Sequence, residues 1–371
     1  MPRKVQVLMA ALIAVVVGIG LVAVATAGGG SGVSVSAPVL PPTPSPTPSP
    51  AASPSPRPVV ASPAGKPRSL YPLPAAAVQP QPCPAPPLPP GKPLPPMPAP
   101  AVADSKLPAP VALAPRHVSA AAVSGKGMWL TTWPSSHVNV AAVVAQSRAA
   151  GVHQLWVRTG GTKQGWYGSR ILPTLLPAAH AAGIAVIAWD FPTLSDPVGD
   201  AKRARLALAG VFGGQRLDGF STDIETTSER VYDTSRRVRL YLSLVRSYAG
   251  SRPVVATVPR PTAYRLRTYP YAAQAPYVDV FAPMVYWSCL EPGELVRDSL
   301  SPLRRYHRAL AVIGQSYDMG PEGGRHGLPS GQEIWRFLDV SKRSGAIGAS
   351  LYTYDETRAT QWRALTAYPW S

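Results

Sequence analysis

Short apolar runs rich in β-branched and aromatic residues alternate with helical patterns over residues 125–371. Such runs, bounded by turn residues and separated by helices, are typical of buried parallel strands in βα units. Eight strands are predicted at 127–133, 153–160, 185–191, 218–225, 253–259, 278–287, 311–318 and 348–355. Helices are predicted near 138–150, 170–182, 200–212, 228–248, 293–309, 331–344 and 356–367, whereas 263–276 is short and poorly helical.

Eight alternating units predict an α/β fold, a (β/α)8 TIM barrel over residues 125–371, since such barrels typically take about 250 residues. A doubly wound sheet is the alternative, but it usually has fewer strands, and no GxGxxG motif follows the first strand here. Glycines at predicted helix ends agree with this alternation. They are Gly151, Gly183, Gly250 and Gly345.

A hydrophobic, uncharged segment runs from Val7 to Ala27, after the basic start Met1-Pro2-Arg3-Lys4. Its length is close to the roughly 20 residues that span a bilayer. Ala25-Thr26-Ala27 also fits a signal-peptidase site. Residues 1–28 are therefore expected to be a signal anchor or a cleaved signal peptide. Both predict that the rest of the chain is exported.

Proline dominates residues 29–124, which hold most of the 46 prolines of the chain. Runs such as PPTPSPTPSP favour extended polyproline II and offer too little apolar surface for a core. The segment is predicted to be a disordered, stiff linker that holds the barrel away from a membrane. Cys83 lies in this linker and Cys289 in the barrel, without any CxxC motif, and their pairing stays open.

The net charge of +17 has two interpretations. It is either a basic surface that favours anionic wall polymers or membrane headgroups, or a diffuse solvated surface. Export and the lack of basic clusters among aromatics argue against nucleic acid as a partner. The six histidines are scattered without HExxH or HxH spacing. No metal or other cofactor is predicted, and no P-loop or GxSxG motif occurs.

The strand ends differ sharply from the strand starts, which carry mostly Gly, Ala, Val and Pro. Active sites of (β/α)8 barrels lie at the C-terminal ends of the strands. Polar and aromatic side chains gathered there are not needed for packing, so they predict a binding site at this rim. The rim residues are Trp133, Arg158, Asp190, Asp223, Glu225, Met284, Tyr286, Trp287, Gln315, Asp318, Tyr352, Tyr354 and Asp355.

The fourth predicted strand ends in DGFSTDIE, where Asp223 and Glu225 lie two residues apart. The side-chain period of a strand is two, so both acids share a face. Repulsion between them raises the proton affinity of one, as an acid catalyst of glycoside hydrolysis requires. Both are predicted to be catalytic. The alternative is a structural pairing of Asp223 with Arg158 or another basic residue.

DGFSTDIE resembles the DxxDxDxE motif of glycoside hydrolase family 18, the chitinase-like barrels. Asp218, Asp223 and Glu225 match three of its four acidic positions, and Ser221 stands at the middle Asp. The resemblance implies that Glu225 is the general acid. It also implies that Asp223 orients a substrate N-acetyl group, which acts as the internal nucleophile.

The sixth strand resembles the MxYD or MxYN ending of the same family, here Met284-Val285-Tyr286-Trp287. This implies that Tyr286 contacts the acetamido oxygen, while Trp287 replaces a polar residue. Tyr352 and Tyr354 are the nearest candidates for the tryptophan that lies under the sugar in the family. The resemblance is local, and it implies the wider superfamily of TIM-barrel glycosidases.

A second scheme needs no acetamido group, and uses Glu225 as acid with Asp318, Asp355 or Glu356 as base or nucleophile. Aromatic residues divide by position. Trp129, Trp156 and Trp189 lie within strands and are predicted to be core. Candidates for stacking on sugars are Trp133, Trp166, Tyr167, Trp287 and Tyr317.

The predicted function is an exported, monomeric, glycoside hydrolase-like protein, membrane-anchored or secreted, that acts on a cell-wall or extracellular glycan. The resemblance implies N-acetylhexosamine in that glycan. Two alternatives stay open: a non-catalytic carbohydrate-binding barrel at the cell surface, and an anchored scaffold. The predicted substrate-binding residues are Tyr286, Trp287, Asp190, Trp133, Arg158, Gln315, Asp318, Tyr352, Tyr354 and Asp355.

Overall fold

A computed structural model of the chain describes residues 96–114 and 117–370. Eight parallel strands form a closed barrel, because β1 pairs with both β2 and β9. The barrel strands are β1 (Gly125–Leu130), β2 (Gln154–Gly161), β4 (Ala185–Phe191), β5 (Gly219–Asp223), β6 (Val254–Val258), β7 (Val280–Val285), β8 (Ala309–Gln315) and β9 (Gly348–Tyr352). The two-residue β3 (Gly165–Trp166) folds back antiparallel on β2. The predicted TIM barrel is confirmed.

Helices connect successive barrel strands and start where the sequence offers N-caps. Asp196, Thr234 and Ser330 each accept a hydrogen bond from the backbone of the helix that follows them, which satisfies N–H groups that lack a helical partner. The helices are α1 (Val140–Ala149), α2 (Leu172–Ala181), α3 (Pro197–Ala209), α4 (Ser235–Ala249), α5 (Arg265–Thr268), α6 (Tyr271–Gln274), α7 (Pro292–Leu303), α8 (Gly331–Arg343) and α9 (Ala359–Ala367). The single turns α5 and α6 occupy the poorly helical 263–276 segment.

Strand register separates two layers of buried side chains. Leu155, Val157 and Phe220 face outward, in the apolar layer that contains residues of the surrounding helices. Trp129, Trp156 and Trp189 face inward and fill the barrel, as predicted. Trp129 and Trp156 stack with their ring centroids 4.9 Å apart, and Trp129 meets the edge of Trp189 at 5.3 Å. The barrel interior is therefore a packed aromatic core.

Part of the segment predicted as linker lies against the barrel. The Tyr232 hydroxyl donates a hydrogen bond of 2.7 Å to the Pro98 carbonyl. Arg237, buried on α4, donates to the Val102 carbonyl at 2.5 Å and lies 2.7 Å from the Asp104 carboxylate. Residues 96–111 are thus not a free spacer, because their backbone groups find partners on α4 and in the loop before it.

The predictions for residues 1–28, for the linker up to residue 95 and for Cys83 lie outside the described residues. Cys289 is buried in the loop after β7. Of the helices that the structure describes, none has the length and apolar character needed to cross a membrane.

Candidate functional site

Strand β5 carries the two predicted catalytic acids to the upper end of the barrel. Ser221 and Asp223 follow each other on its inner face, and Ser221 Oγ lies 2.8 Å from Thr257 Oγ1 on β6. Asp223 is 9% exposed, and within the described residues its Oδ1 has no hydrogen-bond partner. Glu225 follows the strand and is partly exposed. Asp223 therefore lies inside the barrel, and Glu225 lies at the rim, closer to solvent.

Hydrogen bonds fix the turn that carries Glu225. The carbonyl of the buried Ile224 accepts a bond of 2.6 Å from the Tyr269 hydroxyl. Beyond Glu225, the backbone N–H of Thr226 donates to Glu229 Oε2 at 3.1 Å, and the Thr226 hydroxyl donates to the same oxygen. These hydrogen bonds fix the backbone on both sides of Glu225, and so they fix the position of its Cα.

Both acids bind a proton more tightly than an isolated carboxylate. Burial raises the pKa of Asp223 to about 7, opposed by the Arg158 charge and aided by Glu229 and Asp190. Loss of hydration, followed by repulsion from Asp223 and Glu229, raises the pKa of Glu225 well above its ordinary value. A carboxyl group with a raised pKa is suited to donate its proton to a leaving group.

Three tyrosines lie near the acid pair at the C-terminal end of the barrel interior, here called the opening. Tyr286 lies edge-on to Tyr317 at 5.6 Å and 6.1 Å from Tyr352, measured between ring centroids. Burial raises the pKa of the Tyr286 hydroxyl, and the charges of Asp223 and Glu225 raise it further. Tyr286 therefore lies near the acid pair and keeps its proton, so its hydroxyl is available as a hydrogen-bond donor.

Arg158 lies at the end of the inward-facing column of β2, above Trp156. Its guanidinium lies 4.0 Å from the ring centroid of Trp133 and 5.1 Å from that of Trp189. Arg158 is 7% exposed, whereas Trp133 is 37% exposed. The structure thus brings Trp133, Arg158 and Asp223 to one opening, together with Glu225, Tyr286 and Tyr352.

Two carboxylates near this opening were missed by the sequence analysis. Glu229 raises the pKa of both Asp223 and Glu225, and Glu322 raises the pKa of Glu225. Glu322, in the loop after β8, also accepts a hydrogen bond of 3.0 Å from the Tyr317 hydroxyl. Both residues lie on loops, where no strand periodicity predicts which way a side chain points. Glu322 therefore adds to the repulsion that Asp223 and Glu229 exert on Glu225.

Strand register turns two predicted substrate contacts away from the opening. Trp189 and Tyr286 face inward, so their neighbours Asp190 and Trp287 face the helices. Asp190 forms an ion pair with Arg203 at 3.0 Å, although burial still raises its pKa to about 6. Trp287 is 0% exposed and donates from its indole nitrogen to Glu333 Oε1 at 3.2 Å. Neither side chain is placed to touch a substrate.

The remaining predicted rim residues make local contacts. Gln315 is buried inside the barrel, and its Oε1 accepts a hydrogen bond of 2.7 Å from the backbone N–H of Ser288. Met284 packs against the interior core. Asp318 accepts a bond of 2.7 Å from the backbone N–H of Gly320, which forms a turn. These contacts position loops around the opening.

Tyr354 and Asp355 lie on the outer side of the rim. Tyr354 packs against Trp362 of α9 with ring centroids 5.6 Å apart. Asp355 is exposed and accepts a hydrogen bond of 3.2 Å from the Thr131 hydroxyl. Both line a shallow cavity of about 280 Å³ beside His137. The structure therefore separates Tyr354 from Tyr352, which faces the interior.

The described part of the chain contains no group of three or more His, Cys, Asp or Glu side chains arranged to hold a metal ion. The groups that converge on the opening are proton donors and acceptors, the Arg158 cation and several aromatic rings. This set can transfer a proton to a bound oxygen and can stack on a sugar ring.

No protein-family model and no curated protein sequence matches this chain. Solved structures do match. The Bacillus cereus spore cortex-lytic enzyme SleL is 11% identical, with a TM-score of 0.50 over 66% of this chain and 74% of that one. A chitinase from Chromobacterium violaceum is 12% identical, with a TM-score of 0.49 over 66% and 98%. At this identity the likeness concerns the fold: the chain has the TIM barrel that glycan-acting hydrolases use.

Proposed function

We propose that the barrel is a glycoside hydrolase that acts on a cell-wall or extracellular glycan, with Glu225 as its general acid. The observation that carries the proposal is a partly exposed glutamate at the C-terminal end of the fourth barrel strand, with the pKa of its carboxyl group raised. In this fold the chemistry occurs at that end. A protonated carboxyl there can donate to the oxygen of the glycosidic bond as that bond breaks.

Asp223 and Tyr286 support a scheme in which an N-acetyl group of the substrate takes part. The acetamido oxygen attacks the anomeric carbon while Glu225 protonates the leaving oxygen, and a water molecule later opens the resulting ring. In this scheme Asp223 accepts a hydrogen bond from the acetamido N–H, and its unpartnered Oδ1 supports that role. The protonated Tyr286 hydroxyl is placed near both acids and can donate to the acetamido oxygen.

The aromatic walls support a sugar as the ligand. Trp133 is partly exposed above Arg158, and Tyr286, Tyr317 and Tyr352 meet at centroid distances of 5.6–6.1 Å. Aromatic faces with few charged groups between them bind the apolar faces of sugar rings. The opening is thus proposed to accept one or more sugar residues beside Glu225.

The N-terminal residues support the proposed location. The uncharged stretch from Val7 to Ala27 and the proline-rich segment after it are those of a chain exported and held at a membrane or secreted. A wall glycan lies within reach of such a protein, and the structural neighbour from Bacillus cereus is a spore cortex-lytic enzyme. We propose a monomer with the glycan as its ligand and the membrane as its anchor.

The experiment compares Glu225→Gln with Glu294→Gln, which changes an exposed acid at the start of α7. Both variants and the parent full-length chain are incubated with a panel of N-acetylhexosamine-containing glycans, and the reducing ends released are measured. We expect Glu225→Gln to lose about a hundredfold to ten-thousandfold in rate and Glu294→Gln to match the parent. Equal rates for Glu225→Gln and the parent would refute the assignment.

A non-catalytic carbohydrate-binding barrel is the second candidate, and Ser221 favours it. Ser221 forms a hydrogen bond with Thr257. A serine does not ionise, so it cannot share a proton with Asp223 as the middle Asp of the family 18 motif does. Binding of a glycan by the parent chain, with no reducing ends released over a long incubation, would support this candidate over the hydrolase.

A further inference from the structure

Arg158 stands out among the buried arginines of the described residues. Four arginines are nearly inaccessible to solvent. Arg237 pairs with Asp104 at 2.7 Å, Arg336 with Glu291 at 2.8 Å, and Arg246 with Asp279. Arg158 has no carboxylate oxygen within 4.0 Å in the part of the chain that the structure covers, although it is buried to the same degree.

The guanidinium of Arg158 also lacks hydrogen-bond acceptors. No described side chain or carbonyl accepts a bond from it, and its Nε is buried without a partner. The nearby Asp223 leaves Oδ1 unpartnered as well, so the two charges influence each other without contact. A buried cation normally pairs with an anion or accepts a large desolvation penalty.

Two tryptophans lie against the guanidinium of Arg158. Its Cζ is 4.0 Å from the ring centroid of Trp133 and 5.1 Å from that of Trp189, which are cation–π distances. The N–H groups lie along the edge in a fork that matches a carboxylate in a bidentate arrangement. The partly exposed ring of Trp133 offers a surface for the sugar that would carry that carboxylate.

We infer that Arg158 binds a carboxylate on the glycan, so the substrate class is an acidic glycan and not a neutral one. This inference rests on the proposed function of the same opening. The carboxylate belongs either to a uronic acid or to a carboxylic acid joined through an ether to an N-acetylhexosamine. Both present the same pair of carboxylate oxygens. The raised pKa values of Asp223 and Glu225 weaken their repulsion of an incoming anion.

The test uses the full-length Glu225→Gln variant, which is expected to bind without cleaving. Calorimetry measures its affinity for two oligosaccharides, one with uronic acid and one with N-acetylmuramic acid. Each is compared with the same oligosaccharide after reduction of its carboxyl groups to alcohols. We expect the acid form of at least one to bind about tenfold or more tightly than its reduced form, as a buried charged hydrogen-bond pair provides.

A second variant tests Arg158 itself. Adding Arg158→Met should remove the preference for the acid form over the reduced form. Arg239→Met, which removes an exposed charge from α4, should leave the preference intact. Equal affinities for acid and reduced forms in the Glu225→Gln protein would overturn the inference alone. Failure to bind any of the four oligosaccharides would overturn both the inference and the proposed glycan site.

Discussion

Strand β5 has an aspartate at each end, and the two aspartates have opposite surroundings. Just before its first residue, Asp218 accepts a hydrogen bond of 2.7 Å from the backbone N–H of Val186 and lies 2.8 Å from His180 Nε2. At its last residue, Asp223 leaves Oδ1 without a partner among the described residues. The first acid of the family motif is therefore structural here, whereas the last two face the opening.

Asp279 and Lys126 are paired in the same way at the floor of the barrel, the end where the strands begin. Asp279, before β7, accepts from the backbone N–H of Val254 at 2.8 Å and pairs with Arg246. Lys126 donates to the Leu365 carbonyl at 2.7 Å. Unpaired buried polar groups reduce stability, so the floor serves the fold. At the rim, Asp223 Oδ1 and Arg158 Nε have no partner among the described residues, and the proposed ligand would supply one.

The largest expected effect separates the two aspartates by activity. Asp223→Asn should lower glycan hydrolysis about a thousandfold, because the amide cannot accept from the acetamido N–H with a full charge or stabilise positive charge. Asp218→Asn, the matched control just before the same strand, should keep most of the rate. Initial rates on the best glycan of the panel measure both. Equal losses in the two variants would erase the proposed difference between the ends.

The pH dependence of stability provides the second test of the rim. The pKa of Asp223 is raised to about 7 in the folded chain, while an unfolded Asp titrates near about 3.9. Between these values the unfolded chain ionises first, so this group lowers the free energy of unfolding as the pH rises from about 4 to about 7. Asp223→Asn removes that loss.

We therefore expect Asp223→Asn to gain stability relative to the parent, on the order of 3 kcal/mol, between pH 4 and pH 8. Urea unfolding at both pH values measures the difference. Glu294→Gln provides the control for a lost surface acid. Parallel pH curves for Asp223→Asn and the parent would show that Asp223 is not held in a costly buried state.

A smaller loss of stability is expected at the floor. Asp279→Asn leaves the buried Arg246 without its carboxylate and weakens the bond to Val254, so the free energy of unfolding should fall by about 2 kcal/mol. Asp298→Asn, which alters an exposed acid of α7, should change little. The hydrolysis rate below the unfolding transition should stay the same in both. A reduced rate in Asp279→Asn would link the floor to the chemistry.

The smallest effect is expected for the stability of Asp218→Asn. The Asp218 side chain is 32% exposed, so solvent screens its interaction with His180. An asparagine can still accept from the Val186 N–H. A loss of about 1 kcal/mol is expected in urea unfolding, and a loss larger than that of Asp279→Asn would reverse the proposed order of the floor contacts.

The sequence predicted the barrel and the position of the acid pair, since both follow from strand count and period. The same period could have separated Tyr286 from Trp287 and Trp189 from Asp190, because adjacent strand residues face opposite layers. The predicted rim contacts followed from nearness to the strand ends alone, without this alternation. Trp287 consequently lies buried against Phe337, with ring centroids 5.3 Å apart.

The loop residues needed tertiary structure. Glu229 and Glu322 reach the opening from turns, whose direction depends on contacts such as the hydrogen bond from Tyr317 to Glu322. The ordered path of residues 96–111 was hidden for a similar reason. Composition predicts a free polyproline chain there, but the partners that hold it are Tyr232, Arg237 and Ser243, more than 100 positions away in sequence.

The titration of Glu225 tests the central claim most directly. Carbon-13 NMR of the side-chain carboxyl groups in the full-length chain, with Glu225 assigned by its loss in Glu225→Gln, gives the midpoint of its protonation. We predict a midpoint well above the ordinary glutamate value of about 4.3, and a lower midpoint in Asp223→Asn because repulsion is removed. A midpoint at the ordinary value in the parent chain would contradict the assignment of Glu225 as the acid.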